Sequence, residues 1–154
     1  IAFLGFGEFD AEGSVNVSKL GGLTVGPGGF IDIAQNAKKV VFCGTLAAKG
    51  VKLQTGDGQM RVLQQGAVKK LVQQVDQITF SGPQSLVRGQ EVLYLTERAS
   101  FRLTPQGVEL FEVAPGIDLQ RDVLDQMDFV PKIAGSVAIM PAEHFTVQAQ
   151  TPPG

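Results

Sequence analysis

Tryptophan is absent from the sequence, and cysteine, histidine and tyrosine occur once each. A single Cys43 excludes an internal disulfide framework and any zinc site built from several cysteines. A lone His144 leaves little for metal ligation or for a histidine-based triad. Charge is sparse as well: charged residues make up 18% of the 154, below the roughly 25% usual for a globular domain. Thirteen Lys and Arg against fifteen Asp and Glu give a net charge of −2, with no block of one sign. Neither nucleic acid nor a membrane surface is therefore an expected partner. No apolar run reaches the ~18 residues of a membrane span, and the start lacks the layout of a signal peptide. A cytoplasmic location is expected.

What the sequence has in excess is glycine: nineteen residues, well above the usual ~7%. Hydrophobic residues stand at 44% and fall into patterned segments between the glycines, which points to tight turns and close backbone approaches in one domain with a real core. The chain opens on Ile1 inside the apolar run Ile1-Ala2-Phe3-Leu4, with no Met, and we expect a piece of a longer polypeptide.

Residues 1–6 read as a short buried strand and Val15-Asn16-Val17-Ser18 as a second, with Asp10-Ala11-Glu12-Gly13 turning between them. A glycine-dense stretch follows, Gly21-Gly22-Leu23-Thr24-Val25-Gly26-Pro27-Gly28-Gly29. From Phe30 the spacing Phe30, Ile33, Ala34, Ala37 predicts a short helix, closed by Lys38-Lys39 at its negative end. Val40-Val41-Phe42-Cys43 is then a buried strand, and this order is an α/β unit. Val51-Lys52-Leu53 and Met60-Arg61-Val62-Leu63 predict a hairpin around Gly56-Asp57-Gly58. Val68 to Phe80 continues as β-rich sequence. Glu91 to Leu103 is the longest strand candidate, and Val108 to Val113 returns after the turn Thr104-Pro105-Gln106-Gly107. Asp118 is placed to cap a helix carrying Leu119, Val123 and Met127. Residues 133–154 lose periodicity and are expected to be a weakly structured tail after a domain portion spanning 1–132. The fold class is α/β, an open mixed sheet with β-hairpins.

The strongest chemical signal is Val25-Gly26-Pro27-Gly28-Gly29-Phe30, between a strand and a helix start. Glycines allow sharp turns and a close ligand, and free N–H groups there favour an anion, whether phosphate or developing oxyanion. A tight loop that packs a helix near a sheet would look the same. A dinucleotide fingerprint does not fit: Gly5-Phe6-Gly7 lacks its third glycine, and Ile31 stands where Gly26-Pro27-Gly28 would need Gly or Ala.

Five segments in order carry a resemblance. Gly13-Ser14-Val15-Asn16-Val17-Ser18, Gly26-Pro27-Gly28-Gly29-Phe30-Ile31-Asp32 and Asn36-Ala37-Lys38-Lys39-Val40-Val41-Phe42 resemble family I coenzyme A transferases, as do Thr96-Glu97-Arg98-Ala99-Ser100-Phe101 and Ala114-Pro115-Gly116-Ile117-Asp118. The likeness is to fused-chain enzymes acting on short-chain acyl-CoAs. It runs from residue 1 to about Lys132.

The resemblance implies an open α/β sheet in two related halves, this chain lying toward the end of the second. It implies transfer of CoA between an acyl-CoA and a carboxylic acid through a glutamyl-CoA thioester. CoA would be a substrate, with no permanently bound cofactor. The oxyanion and CoA-binding residues would be Gly26, Gly28, Gly29, Phe30, Asn16 and Lys49. The family's nucleophilic Glu lies in a Glu-x-Gly-x-x-Gly motif that this sequence does not contain. It is expected upstream, so the chain alone would be inactive, and the missing part of the same enzyme and further copies are its expected partners. Ser14 and Ser100 stand where the family often has Asn and Val. An acyl-CoA hydrolase, or a CoA-binding or assembly module without turnover, remains open. For Lys49 the alternative is a solvated loop lysine, and for Asn16 an amide that satisfies a turn. Glu97-Arg98 reads as a structural ion pair, Cys43 as a small buried hydrophobe and His144 as solvated.

Overall fold

The computed structural model describes residues 1–146. Its centre is a six-stranded mixed sheet, in spatial order Ala2–Gly5, Lys39–Cys43, Glu91–Leu95, Ala99–Thr104, Gly107–Val113 and Lys132–Ile139. The first three strands run parallel, with Gly5 beside Cys43 and Cys43 beside Leu95 at their carboxyl ends. The next two pairings are antiparallel and the last is parallel. Two- and three-stranded ribbons surround this sheet.

Alternation along the strands decides what is inside. Leu4, Phe42, Tyr94, Phe101 and Leu110 lie in register across one face and belong to the core or pack against it. Phe9 stacks on Tyr94 with ring centroids 4.5 Å apart, and Tyr94 lies 5.6 Å from Phe42. The Tyr94 hydroxyl donates to the Gly13 carbonyl at 2.5 Å, which satisfies the one polar atom this ring brings inside. Burial first, and Asp10 second, push the phenol well above its ordinary pKa.

The helix predicted at Phe30 spans Phe30–Asn36, with Phe30 and Ala34 buried. Lys39 does not close it: it begins the next strand and pairs with Glu91 at 2.6 Å. The hairpin is Lys52–Gly56 with Gln59–Gln64, turned through Asp57 and Gly58, both at positive φ. Four expectations need correction. Glu91 to Leu103 is not one strand, because Thr96 folds it into a hairpin: its Oγ1 donates to the Ala99 carbonyl at 2.8 Å and accepts from the Arg98 and Ala99 N–H groups. The β-rich reading of Val68 to Phe80 reduces to Val68–Lys69 and Leu71–Val72, followed by the unpredicted helix Gly82–Val87 capped by Ser81. Cys43 is exposed: it ends a strand whose middle residues Val40, Val41 and Phe42 take the buried positions. Residues 133–146 are ordered: Lys132–Ile139 forms the sheet's last strand, and Phe145 is buried in the turn Ala142–Phe145. That strand is mostly exposed, so it carries no hydrophobic alternation to read. The remainder of the expected tail lies outside the described residues.

The Asp118 cap is present, its carboxylate accepting from the Arg121 N–H at 2.8 Å. The helix is only Leu119–Asp122, continued by a 3-10 turn Leu124–Gln126, and Val123 and Met127 are buried as their spacing implied. No helix among the described residues is long and apolar enough to cross a membrane.

Candidate functional site

The carboxyl ends of the parallel strands Ala2–Gly5, Lys39–Cys43 and Glu91–Leu95 open onto three short loops, and ligands in open α/β sheets bind at such an edge. Phe6-Gly7 follows the first strand, Gly44-Thr45-Leu46 the second and Thr96-Glu97-Arg98 the third. Glu97 ties two of them together. One carboxylate oxygen accepts from the Leu46 N–H at 2.9 Å, and the other accepts from Arg98 Nε at 3.0 Å.

Arg98 is fully buried. Its Nη1 donates to Gln65 Oε1 at 2.5 Å and to the Asp122 carbonyl at 2.9 Å, while Nη2 has no partner among the described residues. Gln65 in turn donates to Asp122 Oδ1. Arg121, bonded to both Asp122 carboxylate oxygens, is the main cause that holds this carboxyl below its ordinary range. The network joins the sheet edge, the loop after the Lys52–Gln64 hairpin and the Leu119–Asp122 helix. The ion pair expected of Glu97-Arg98 is therefore present, with Arg98 fully buried and Glu97 half-buried.

The glycine loop leaves the short ribbon Lys19–Leu20 with Leu23–Thr24. Val25 and Gly26 N–H both return to the Ser18 carbonyl, at 2.8 and 3.3 Å. Gly26 and Gly28 sit at φ +77° and +53°, and a Cβ there would meet nothing within 4 Å. These glycines serve backbone conformation and openness rather than tight packing. Gly29 begins the helix with φ −84° and no side-chain cap. Phe30 is different: its N–H bonds to the Pro27 carbonyl at 3.1 Å, and its ring stacks 5.8 Å from Phe42. It anchors the loop from below.

Asn16 is fully buried. Its amide donates to Glu8 Oε1 at 2.8 Å and to the Lys19 carbonyl at 2.6 Å, and its oxygen accepts from the Ser18 and Lys19 N–H groups. The turn reading of this residue is the one the geometry matches. Glu8 is occupied by Asn16 and by the Asp76 N–H. Glu12 is exposed on another face, and His144 is exposed.

A groove of about 640 Å³ lies beside this edge, lined among others by Phe6, Glu8, Leu20, Leu23, Lys49 and Lys70. Lys49, exposed and at φ +60°, is the one expected site residue found on its wall. The glycine loop adjoins it through the Leu20–Leu23 ribbon. Lys70 was not anticipated. Its ammonium nitrogen lies over the Phe6 ring, 4.3 Å from the centroid, and donates to the Thr45 hydroxyl at 3.5 Å. Burial lowers its pKa from the ordinary lysine value, opposed by the charge of Glu97. The sequence signal was the pair Lys69-Lys70 interrupting an apolar run.

No family model matches the sequence, but individual proteins do. Over 145 residues the chain is 46% identical to the acetate CoA-transferase YdiF of Escherichia coli O157:H7, which covers 94% of this chain and 27% of that protein. The crystal structure of the YdiF acyl-CoA transferase apoenzyme matches with a TM-score of 0.92 over 96% of this chain and 28% of the other. In sequence and in fold, the chain is similar to one stretch of these CoA-transferases. A caffeate CoA-transferase of Acetobacterium woodii is 44% identical over 151 residues, 95% of this chain and 29% of its own length. The chain thus spans well under a third of the curated relatives it matches. Its fold alone extends further, to glutaconate CoA-transferase from Acidaminococcus fermentans at 18% identity and a TM-score of 0.60, over 97% of this chain and 53% of that one.

Proposed function

We propose that this chain forms part of an enzyme that moves CoA between a short-chain acyl-CoA and a carboxylic acid through a glutamyl-CoA thioester. The observation that carries the reading is a 46% identity together with a TM-score of 0.92 across nearly the whole chain. A second crystal structure of YdiF is a thioester complex with CoA, and the exposed Gly26–Gly29 loop has the openness such chemistry requires.

In this scheme a Glu carboxylate contributed by another part of the enzyme attacks the thioester carbon of the acyl-CoA. CoA leaves as its thiolate and attacks the resulting anhydride at the glutamyl carbonyl, giving glutamyl-CoA and the free acid. The second acid reverses these steps. Each attack places negative charge on a carbonyl oxygen, and the N–H groups of Gly28 and Gly29 are the donors assigned to it, with Gly26 giving the turn that presents them. Lys49, on the rim of the groove, is assigned to a CoA phosphate as a point charge. Phe30 and Asn16 act indirectly, by fixing the loop and the turn beside it.

The test uses the full-length enzyme. Acetyl-CoA with a second short-chain acid should give CoA exchange and a borohydride-reducible glutamyl thioester. Gly29→Val should cut kcat by about tenfold or more with little change in melting temperature, since a Cβ at Gly29 meets only Ile33 Cδ1 at 3.9 Å. Release of acid without exchange would mean hydrolysis and overturn the transfer reading. Unchanged kinetics in Gly29→Val would remove the loop from the mechanism.

A further inference from the structure

The groove beside the carboxyl edge carries two ammonium groups that no carboxylate pairs directly, Glu97 acting on Lys70 only from beyond ion-pair distance. Of the charged residues on its wall, Glu8 is bonded to Asn16 and Asp76, and Lys69 is paired with Asp128 at 3.0 Å. Lys49 and Lys70 have no carboxylate within 4 Å among the described residues. The two differ in setting. Lys49 is exposed at the rim, whereas Lys70 is half-buried, its ammonium group over the Phe6 ring and 3.5 Å from the Thr45 hydroxyl. The rest of the wall is largely apolar: Phe6, Leu20, Leu23, Ala48 and Val68.

Resting on the CoA-transfer reading, we propose that this groove holds the carboxylic acid substrate, with the Lys70 ammonium group on its carboxylate and Phe6, Leu20, Leu23 and Val68 along its hydrocarbon chain. A strongly hydrated phosphate dianion needs several donors to replace its water; at Lys70 the structure offers one ammonium group and one hydroxyl against an aromatic ring, with Lys69 committed to Asp128. A carboxylate is a monoanion that one lysine and one hydroxyl can serve. The volume of about 640 Å³ is in the range of drug-sized ligands and far exceeds what a two-carbon acid fills. The groove therefore favours acids with longer apolar chains. Because the acyl-CoA thioester is neutral where the free acid is charged, Lys70 discriminates between the two substrates of the same reaction. Lys70 is accordingly a residue for acid recognition: it meets the acid released in the first half-reaction and the acid that enters in the second, while binding of the neutral acyl-CoA does not require it.

Full-length enzyme carrying Lys70→Met, which keeps the stem and removes the charge, should show a KM for the acid raised about tenfold or more. The KM for acyl-CoA should stay within about threefold of the parent, and glutamyl thioester should still form when acyl-CoA is added alone. Lys70→Arg should restore much of the acid affinity. Leu23→Asp, at a position exposed enough to leave folding intact, should abolish a preference of the parent for hexanoate over acetate. A KM for acyl-CoA that rises with that for the acid would assign Lys70 to CoA and overturn the proposal, as would an unchanged KM for the acid. Calorimetric titration of hexanoate into the parent enzyme separates the two readings. Binding that weakens in Lys70→Met supports the groove even if no CoA is exchanged, and no binding overturns it even if exchange occurs.

Discussion

Arg98 shows what a buried charge demands of its surroundings. The guanidinium group is out of contact with water, and its partners come from three separate stretches: Glu97 beside it, Gln65 and the Asp122 carbonyl. Removing it leaves the half-buried Glu97 carboxylate without its cation and two acceptors without donors. Truncating one partner of such a pair typically costs about 3–5 kcal/mol, a large fraction of a domain's net stability. Arg98→Met should therefore lower the urea midpoint of the enzyme strongly. Arg98→Lys should rescue little, since one ammonium group cannot span donors arranged as a planar fork. A midpoint within experimental error of the parent for Arg98→Met would show the network to be dispensable.

At the scale of elements, the helix Gly82–Val87 depends on one missing side chain. A Cβ on Gly82 would run into the Glu12 carbonyl and the Gly13 backbone, because the helix start is pressed onto the Asp10–Gly13 turn, where the Gly82 N–H reaches Ser14 Oγ at 3.2 Å. Gly82→Ala should cost about 1–3 kcal/mol as an overpacking change, and Gly135→Ala, in open space on the last strand, close to nothing. Comparing the two melting temperatures checks this, and equal shifts would refute it. The same contact explains why this helix escaped the sequence reading: six residues held by a cap and a tertiary fit carry too little periodicity to register. Elements with strong local logic were legible: the strand Lys39–Cys43, the Phe30–Asn36 helix with its apolar spacing, the Asp57-Gly58 hairpin. The break at Thr96 was not, because a hydroxyl closes the tight turn and no Gly or Pro marks it. Of the candidate site, the glycine loop and Lys49 could be named from sequence. Phe30 and Asn16 could be named, Asn16 with a turn-satisfying amide as its alternative, but only the fold shows a ring on Phe42 and an amide with all its bonds taken. Lys70 stayed hidden because its neighbours, Phe6 and Thr45, are distant in the chain.

For the whole molecule, the decisive fact is that the sheet is covered on one side. Phe3, Val41, Leu93 and Arg102 lie in register across the other face; Val41 is buried, but none of the four joins the main core cluster. Phe3 is 67% exposed, and Ile1 on the outer edge strand 73%. Sheets with parallel strands are normally covered on both faces, and contiguous exposed apolar surface generally marks a contact site. The isolated chain should accordingly self-associate, and light scattering should show dimers or larger species whose proportion grows with concentration. A monodisperse monomer throughout the accessible range would contradict this. Replacing Phe3 with Glu should shift the distribution toward monomer without unfolding the core, which packs on the opposite face. That core also carries its own optical label. With no tryptophan and a single tyrosine, the phenol emission of this chain comes from Tyr94 alone, a ring fully enclosed between Phe9 and Phe42. Its fluorescence and near-ultraviolet dichroism thus report on one place at the centre of the sheet. In alkali the phenolate band, which an unfolded chain develops near pH 10, is withheld until the aromatic stack itself comes apart.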